Sequence, residues 1–180
     1  MTPVVEDRAR TAPGYVGATI LWLLGMLVLA VVAVLFALFA PEVVPSHYGS
    51  GGRVDDVSSR ASNLAVLVPI GLGIPVLLGI RWPWGRHPAL LNIPHKQEWI
   101  EAGRREGLTD RVVIFLRRIG AVMALLIALV LGQMLRDGRA AGTASAPPWL
   151  FPVALVVFVV GTVLSIILLL RSLDRVDLEE

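Results

Sequence analysis

The segment 40–60 holds the side chains with the greatest capacity for chemistry. It reads APEVVPSHYGSGGRVDDVSSR and places His47 near the carboxylates of Glu42, Asp55 and Asp56. An imidazole beside carboxylates is a pattern of divalent-metal sites, but zinc requires three or four ligands in a fixed geometry. One imidazole with scattered acids falls short of that set, so we expect neither a metal nor any other cofactor. His47 is expected to form hydrogen bonds within a compact loop.

The sequence lacks the patterns of an enzyme active site. Ser58, Ser59 and Ser62 are close to His47 in sequence, yet no nucleophile elbow surrounds them. Neither a phosphate-binding glycine loop followed by lysine nor a His-Glu-x-x-His pair occurs in the chain. The chain contains no cysteine, which excludes thiol chemistry and disulfides. We therefore expect no enzymatic activity.

Prolines and glycines restrict the backbone of the segment. Pro41 and Pro45 fix φ at two points on the way into the loop. The glycine-rich run 49–52, which ends at Gly52, permits the positive φ angles of a tight turn. A plain connection between neighbouring helices needs only a few residues and no such restriction. The pattern therefore predicts a folded loop and not a spacer.

The polar residues on either side of this turn are predicted to meet. We expect His47 and Asp55 to form the polar centre of the loop, with Tyr48 beside them. Arg60 is expected to pair with one of the two aspartates at the base of the following apolar run. The loop would then seal the end of the protein or recognise a partner there.

A second organised segment, LNIPHKQEW, lies between two later apolar runs. Pro94 suits the first turn of a helix, and the charged residues after it fall at i,i+3 and i,i+4 spacing. We expect a short helix on the membrane surface, with Trp99 inserted into the membrane. Apolar residues then recur at helical spacing over 108–119, which predicts an amphipathic helix continuing into the next span. Arg117 and Arg118 are expected to extend to the headgroups.

The elements that position these segments follow from composition. Hydrophobic residues make up 56% of the 180 residues and charged residues 17%, against about 45–50% and about 25% in soluble domains. The excess lies in four blocks of nearly the length, roughly 20 residues, that a membrane-spanning helix needs, at 15–40, 63–80, 119–135 and 149–170. We predict an all-α integral membrane protein with four transmembrane helices, a structured outer loop after the first, and an interfacial helix between the second and third. The first block exceeds the h-region of a signal peptide, about 7–15 residues, so we expect it to remain as an anchor.

The basic residues predict the orientation. Of 16 in total, 12 lie in the two tails and between the second and third spans. Because basic residues stay cytoplasmic in short loops, both termini are predicted to be cytoplasmic and segment 40–60 to face outside. This bias explains the pI near 9.7 without a nucleic-acid partner. The presence of one lysine among 16 basic residues is typical of a GC-rich bacterial genome, so we expect a bacterial inner membrane.

The chain accordingly divides into two helix pairs and two tails. The predicted boundaries are a cytoplasmic tail at 1–14, a first helix pair with both organised loops at 15–105, a second helix pair at 106–170, and a cytoplasmic tail at 171–180. Trp82 and Trp84 are expected to anchor the start of the cytoplasmic loop at the membrane interface.

Residues on two alternate loops carry a resemblance to a known family. In the outer loop they are Pro41, Pro45, His47, Tyr48, Gly52, Asp55 and Arg60, and in the inner loop Asn92, Pro94, Lys96 and Trp99. The pattern resembles the bacterial membrane domain of unknown function 1648, which also opens the toxin immunity proteins of the SdpI type. The match covers about 15–105. It departs at Gly49, where the family commonly has asparagine, and at Arg60, where it has lysine.

Two functions remain open. The resemblance implies a small membrane protein that recognises or neutralises an extracellular peptide or toxin through the outer loop, with the inner loop relaying or docking. The alternative is an accessory or structural subunit of a larger membrane complex. The expected partners are the lipid bilayer and either a peptide or a membrane protein, and not nucleic acid. Transport by this chain alone is not expected, because no ionisable residue falls in the middle of a span.

Overall fold

The computed structural model describes residues 12, 14–49, 52–81, 92–140, 147 and 149–174. Its elements are α1 (Tyr15–Phe39), β1 (Val43–Tyr48), β2 (Val54–Ser59), α2 (Arg60–Val68), a π-helical turn (Pro69–Gly73), α3 (Ile74–Gly79), α4 (Lys96–Glu101), α5 (Arg105–Arg139) and α6 (Leu150–Leu173). Most of both predicted tails, together with Trp82 and Trp84, lie outside the described residues.

Within the described residues, four helical segments are long and apolar enough to cross a membrane. They are Tyr15–Phe39, Arg60–Gly79, Arg105–Arg139 and Leu150–Leu173. The prediction of four apolar helices is therefore confirmed. The third is much longer than the predicted apolar block, because the amphipathic approach and the span form one continuous helix, as the periodicity predicted.

Helix α5 forms the centre of the bundle and packs against α1, α3 and α6. Its 35 residues extend for about 52 Å at 1.5 Å per residue, against about 30 Å of hydrocarbon in a bilayer. The helix is therefore longer than the hydrocarbon layer is thick. Leu131 of α5 is fully buried in one cluster with Leu29 and Phe36 of α1.

Small residues allow the helices to approach closely. A Cβ at Gly25 would lie 3.1 Å from the carbonyl oxygen of Ala121, so α1 and α5 touch through their backbones. In the second span, Pro75 has no N–H to donate, and its own carbonyl accepts the indole N–H of Trp22 at 3.1 Å. The same indole lies against Gly79, where a Cβ would come within 2.6 Å of it.

The loop after α1 is an antiparallel β-hairpin. β-Branched side chains at Val43, Val44, Val54 and Val57 suit its extended strands. Pro45 is compatible with β1 because a strand in a two-stranded sheet has an edge that needs no donor. The predicted outer loop is thus ordered, but the all-α description holds for the spans and not for this loop.

Candidate functional site

The hairpin turn depends on a glycine in a left-handed conformation. Gly52 has φ 78°, which side chains other than glycine rarely adopt. Its N–H donates to the carbonyl of Gly49 at 3.1 Å, and the N–H of Gly49 donates to the carbonyl of Arg53 at 2.8 Å. These bonds close the loop and fix the relative position of the two strands.

Two irregularities in the strand register bring His47 beside Asp55. The pairing of Pro45 with Val57 is followed by that of His47 with Asp56, so one residue of β1 is unmatched. A further shift leaves Asp55 unmatched on β2. As a result, Oδ1 of Asp55 lies 2.5 Å from Nδ1 of His47. The structure thus joins the two residues that were predicted to form the polar centre of the loop.

This pair lies at the surface of the hairpin. The side chain of His47 is 68% exposed and that of Asp55 is 50% exposed. Exposed ion pairs contribute only about 0–1 kcal/mol to stability. The His47–Asp55 pair therefore adds little to the stability of the hairpin. Both side chains remain accessible to a ligand.

The anchor of the hairpin is a different carboxylate, Asp137 at the end of α5, which is only 1% exposed. The hydroxyl of Tyr48 donates to its Oδ2 at 3.0 Å, and Nε2 of Gln133 donates to the same oxygen at 2.6 Å. Nε of Arg136 donates to Oδ1 at 3.2 Å. Burying a carboxylate without partners would be very costly, and these three donors to Asp137 offset that cost.

Tyr48 is held by its ring as well as by its hydroxyl. Its centroid lies 5.0 Å from that of Phe151 on α6, at a tilt of 43°. Burial raises the pKa of the Tyr48 hydroxyl well above its usual value, and the hydrogen bond to Asp137 raises it further. The hydroxyl therefore remains a donor across the physiological range. Tyr48 joins the hairpin to both helices of the second pair.

The base of the hairpin fits closely against α5. A Cβ at Gly138 would lie 3.0 Å from Cγ of Pro41 and 3.1 Å from Cγ1 of Val44. Val44 and Pro45 are both buried. Pro41 and Pro45 therefore contribute by packing the hairpin onto the bundle as well as by stiffening its backbone.

Arg60 has a different partner from the one predicted. Its guanidinium donates to the carbonyl of Ala40 at 2.7 Å, and its backbone N–H donates to the carbonyl of Glu42 at 2.8 Å. The prediction of an Arg60–aspartate pair is therefore wrong. Ala40 follows the last turn of α1, where exposed carbonyls carry partial negative charge and attract a cation.

The opposite end of the bundle carries the second predicted segment. Trp99 of α4 is fully buried with Leu108 and Leu173. Its indole N–H donates to the carbonyl of Leu173 at 3.1 Å, and the guanidinium of Arg111 lies 4.4 Å from its ring centroid. The short helix exists as predicted, but Trp99 packs inside the protein and not in the membrane interface. The Trp99 side chain, which was expected to contact lipid, instead contacts Leu108 of α5 and Leu173 of α6.

The rest of this segment lies at or near the surface. Its other predicted residues are exposed or partly buried: Asn92, Pro94 and Lys96. His95 has φ 56° and precedes α4. Its Nδ1 lies 3.0 Å from Glu98 Oε1, and its Nε2 lies 3.6 Å from Asp174 Oδ1. The hydrogen bond to Glu98 raises the pKa of His95 above its usual value.

Arg117 is a buried cross-link that sequence reasoning placed incorrectly. Its Nε donates to the carbonyl of Gly79 at 3.2 Å, and its NH1 donates to the hydroxyl of Thr19 at 2.6 Å. The guanidinium also lies 4.6 Å from the ring centroid of Tyr15. The prediction that Arg117 extends to the headgroups is wrong, because the neighbouring helices satisfy its donors inside the bundle.

The side chains of the hairpin offer hydrogen-bond donors and acceptors at its surface. Within the described ranges, no group of three or more His, Cys, Asp or Glu side chains is placed to hold a metal ion. The exposed His47–Asp55 pair offers a donor and an acceptor next to an open strand. Asp137, the residue that fixes this surface, carried one signal in the sequence: it lies four residues after Gln133, on the same face of a helix.

Comparisons with known proteins return no match: no family model, no curated protein and no solved structure matches this chain. Its class is therefore defined by its own architecture. The part of the chain that the structure describes has four helices that are long and apolar enough to span a membrane, with a β-hairpin packed on one end of the bundle and a short helix packed on the other.

Proposed function

We propose that this chain is a multi-pass protein of the bacterial inner membrane whose hairpin recognises an extracellular peptide. One observation carries the proposal. The hairpin is anchored on one side by buried Asp137, while its other side exposes the His47–Asp55 pair. A connector between two helices would not need a buried carboxylate with three donors, because burying that group is costly.

The order of the hairpin favours recognition. Fixing the backbone of one residue costs about 1–2 kcal/mol, and a loop that is ordered before binding does not incur that cost again. Gly52 and the two prolines set the shape of the loop, and Tyr48 holds it in place. A ligand therefore meets a preformed surface.

The family resemblance supports the same role. Several of the residues that carry it build the hairpin: Pro41 packs on Gly138, Gly52 makes the turn, and Tyr48 reaches Asp137. The resemblance implies that the peptide is a toxin and that binding neutralises it. The arginine distribution supports an outside position for the hairpin and a cytoplasmic position for both termini.

The two ends of the bundle are joined by the same helices. Helix α5 contacts the hairpin through Asp137 and contacts Trp99 through Arg111. Helix α6 contacts Tyr48 through Phe151, and its other end accepts the indole N–H of Trp99. The hairpin and α4 therefore contact the same two helices, which is the arrangement that a relaying or docking role for the inner segment would require.

A second candidate function is that of an accessory subunit in a larger membrane complex. The observation that favours it is the exposure of α6, because only 6% of the residues in its most apolar stretch are buried within the chain. Large side chains such as Val156 and Leu164 face outward. This exposed apolar surface of α6 is suited to contact with lipid or with a neighbouring subunit. Purification in a mild detergent with a stoichiometric partner would favour this function over peptide recognition.

Peptide recognition can be tested by selection from a random peptide library against the protein in lipid nanodiscs. The selected peptides are then titrated against His47→Ala and Asp55→Asn, which retain the fold because the pair is exposed. We expect each variant to bind about tenfold more weakly, as for a central contact of a binding surface. Glu101→Gln, on α4, serves as the matched control and should bind normally. Equal binding by all four proteins, or failure to select any peptide, would contradict the proposal.

A further inference from the structure

We propose that the free edge of β2 takes a cationic, extended peptide as a third strand of the hairpin sheet. This inference rests on the proposed function and specifies how the peptide is bound. It concerns the backbone of Val54–Ser59 and the two adjacent acids within it, Asp55 and Asp56.

The two strands of the hairpin have different surroundings. β1 packs against α5 and buries Val44 and Pro45, whereas the main contacts of β2 are with β1 and the adjoining α2. Within the described residues the sheet has two strands only. The N–H of Val57 donates to the carboxylate of its own neighbour, Asp56, at 2.8 Å. The Asp56 carboxylate thus accepts a hydrogen bond from the N–H of Val57, which a third strand could accept in its place. A strand edge with backbone groups available in this way is the template for strand addition.

Charge determines which strand this edge accepts. Asp55 and Asp56 are both exposed. The guanidinium of Arg60 is directed to the carbonyl of Ala40 and not to either acid. Arg53 lies next to the turn, before β2 begins. The edge strand Val54–Ser59 therefore carries two adjacent acids and no basic residue, and Asp55 contacts the imidazole of His47 on the neighbouring strand.

An acidic edge excludes one occupant and favours another. A second copy of this chain would bring Asp55 and Asp56 against the same two acids, and like charges on paired strands repel. A strand that carries lysine or arginine gains attraction at the same positions. The charge complement therefore identifies a cationic peptide, and not a second copy, as the occupant.

The side chains of β2 also determine the residue pattern of the bound peptide, in which cationic and apolar residues should alternate. Asp56 and Val57 are neighbours on the strand, so they point to opposite faces of the sheet. Val57 is 55% exposed. A peptide that alternates cationic and apolar residues would place its cations beside Asp56 and its apolar side chains beside Val57.

The test uses capped peptides of alternating lysine and valine, titrated against the protein in nanodiscs of phosphatidylcholine, with empty nanodiscs as the control. A second peptide carries N-methyl groups at both odd- and even-numbered positions, so that neither edge of the extended peptide can donate backbone hydrogen bonds. A third replaces lysine with glutamate. We expect the N-methylated peptide to bind at least about tenfold more weakly because several backbone bonds are lost, and the glutamate peptide not to bind. Hydrogen exchange of β2 amides should slow only with the first peptide.

The matched variant of the protein is Asp55→Asn combined with Asp56→Asn. Asparagine keeps an oxygen for the bonds to His47 and to the N–H of Val57, so the change removes charge alone. We expect the lysine peptide to bind at least about tenfold more weakly to it, with a reduced dependence on salt. Glu101→Gln should leave binding unchanged.

The outcomes separate this inference from the function on which it rests. Equal binding of the methylated and unmethylated peptides, or no binding of the lysine peptide, would overturn strand addition. Library-selected peptides that still depend on His47 would in that case leave peptide recognition standing. If library selection also fails to yield a binder, both proposals fail together.

Discussion

Replacing Tyr48 by phenylalanine tests whether Asp137 anchors the hairpin. The substitution removes one hydroxyl and keeps the ring that packs 5.0 Å from Phe151. A hydrogen bond to a charged group contributes about 1.5–3 kcal/mol. Asp137 retains its donors from Gln133 and Arg136, so the loss should be confined to that one bond.

Hydrogen exchange measures this loss locally. If the hairpin opens separately from the bundle, amides of β1 and β2 exchange through that opening. A loss of about 1.5–3 kcal/mol corresponds to about a 10- to 150-fold fall in their protection. Amides of α1 near Gly25, which pack in the middle of the bundle, should keep their protection and serve as the internal control. The measurement is made in nanodiscs by mass spectrometry.

A double-mutant cycle with Asp137→Asn identifies the partner. If Tyr48 acts through this carboxylate, the two substitutions together should cost less than the sum of the single ones. Full additivity would mean that the hydroxyl and the carboxylate act independently. Unchanged protection of β1 in Tyr48→Phe would refute the anchor itself, because the structure offers the Tyr48 hydroxyl no other acceptor among its described contacts.

Two further predictions concern the orientation and the opposite end. In this cysteine-free chain, Ser46→Cys should react with a membrane-impermeant thiol reagent in intact cells and Ala102→Cys should not, and labelling at both positions would overturn the proposed orientation. The raised pKa of His95 means that its contact with Glu98 stabilises α4 fully below about pH 6.5 and is lost as pH rises through the folded-state pKa. The protection factors of the α4 amides, which are corrected for the base-catalysed rise of intrinsic exchange with pH, should therefore fall above that pKa. Glu98→Gln should weaken this fall and leave only the contribution of Asp174, whereas an equally steep fall in the variant would exclude Glu98 as the cause.

The spans could be predicted from sequence because their cause is local. A block of about 20 apolar residues without charge has one stable arrangement in a bilayer. The hairpin was predicted only as a folded loop. Residues 43–59 lack a clean alternation of apolar and polar side chains, and the two register irregularities further disrupt the period of two. Gly52 and the valines were the available signals, and they indicated a turn more clearly than strands.

The candidate site was predicted in part, for the same physical reason. His47 and Asp55 flank one turn, so their meeting follows from local geometry. Tyr48 and Asp137 are 89 residues apart, and nothing in the sequence shows that the end of α5 lies beneath the hairpin. Trp99 and Arg117 were assigned to the membrane interface because both residue types favour it. Their actual partners are distant protein groups, which residue preference alone does not reveal.

The distribution of charge along α5 explains why the specific contacts lie at its ends. Residues 119–135 contain no ionisable side chain, whereas Arg117 and Asp137 stand just beyond the two limits of that stretch. A charge costs less near the edge of the bilayer than at its centre, so ion pairs and charged hydrogen bonds are available to specify structure only there. The middle of the bundle relies on close packing of small residues, such as Gly25 against Ala121, which distinguishes poorly between alternative partners. The charged contacts of the hairpin, of α4 and of Arg117 therefore lie towards the two ends of α5, and apolar packing of the helices joins these ends.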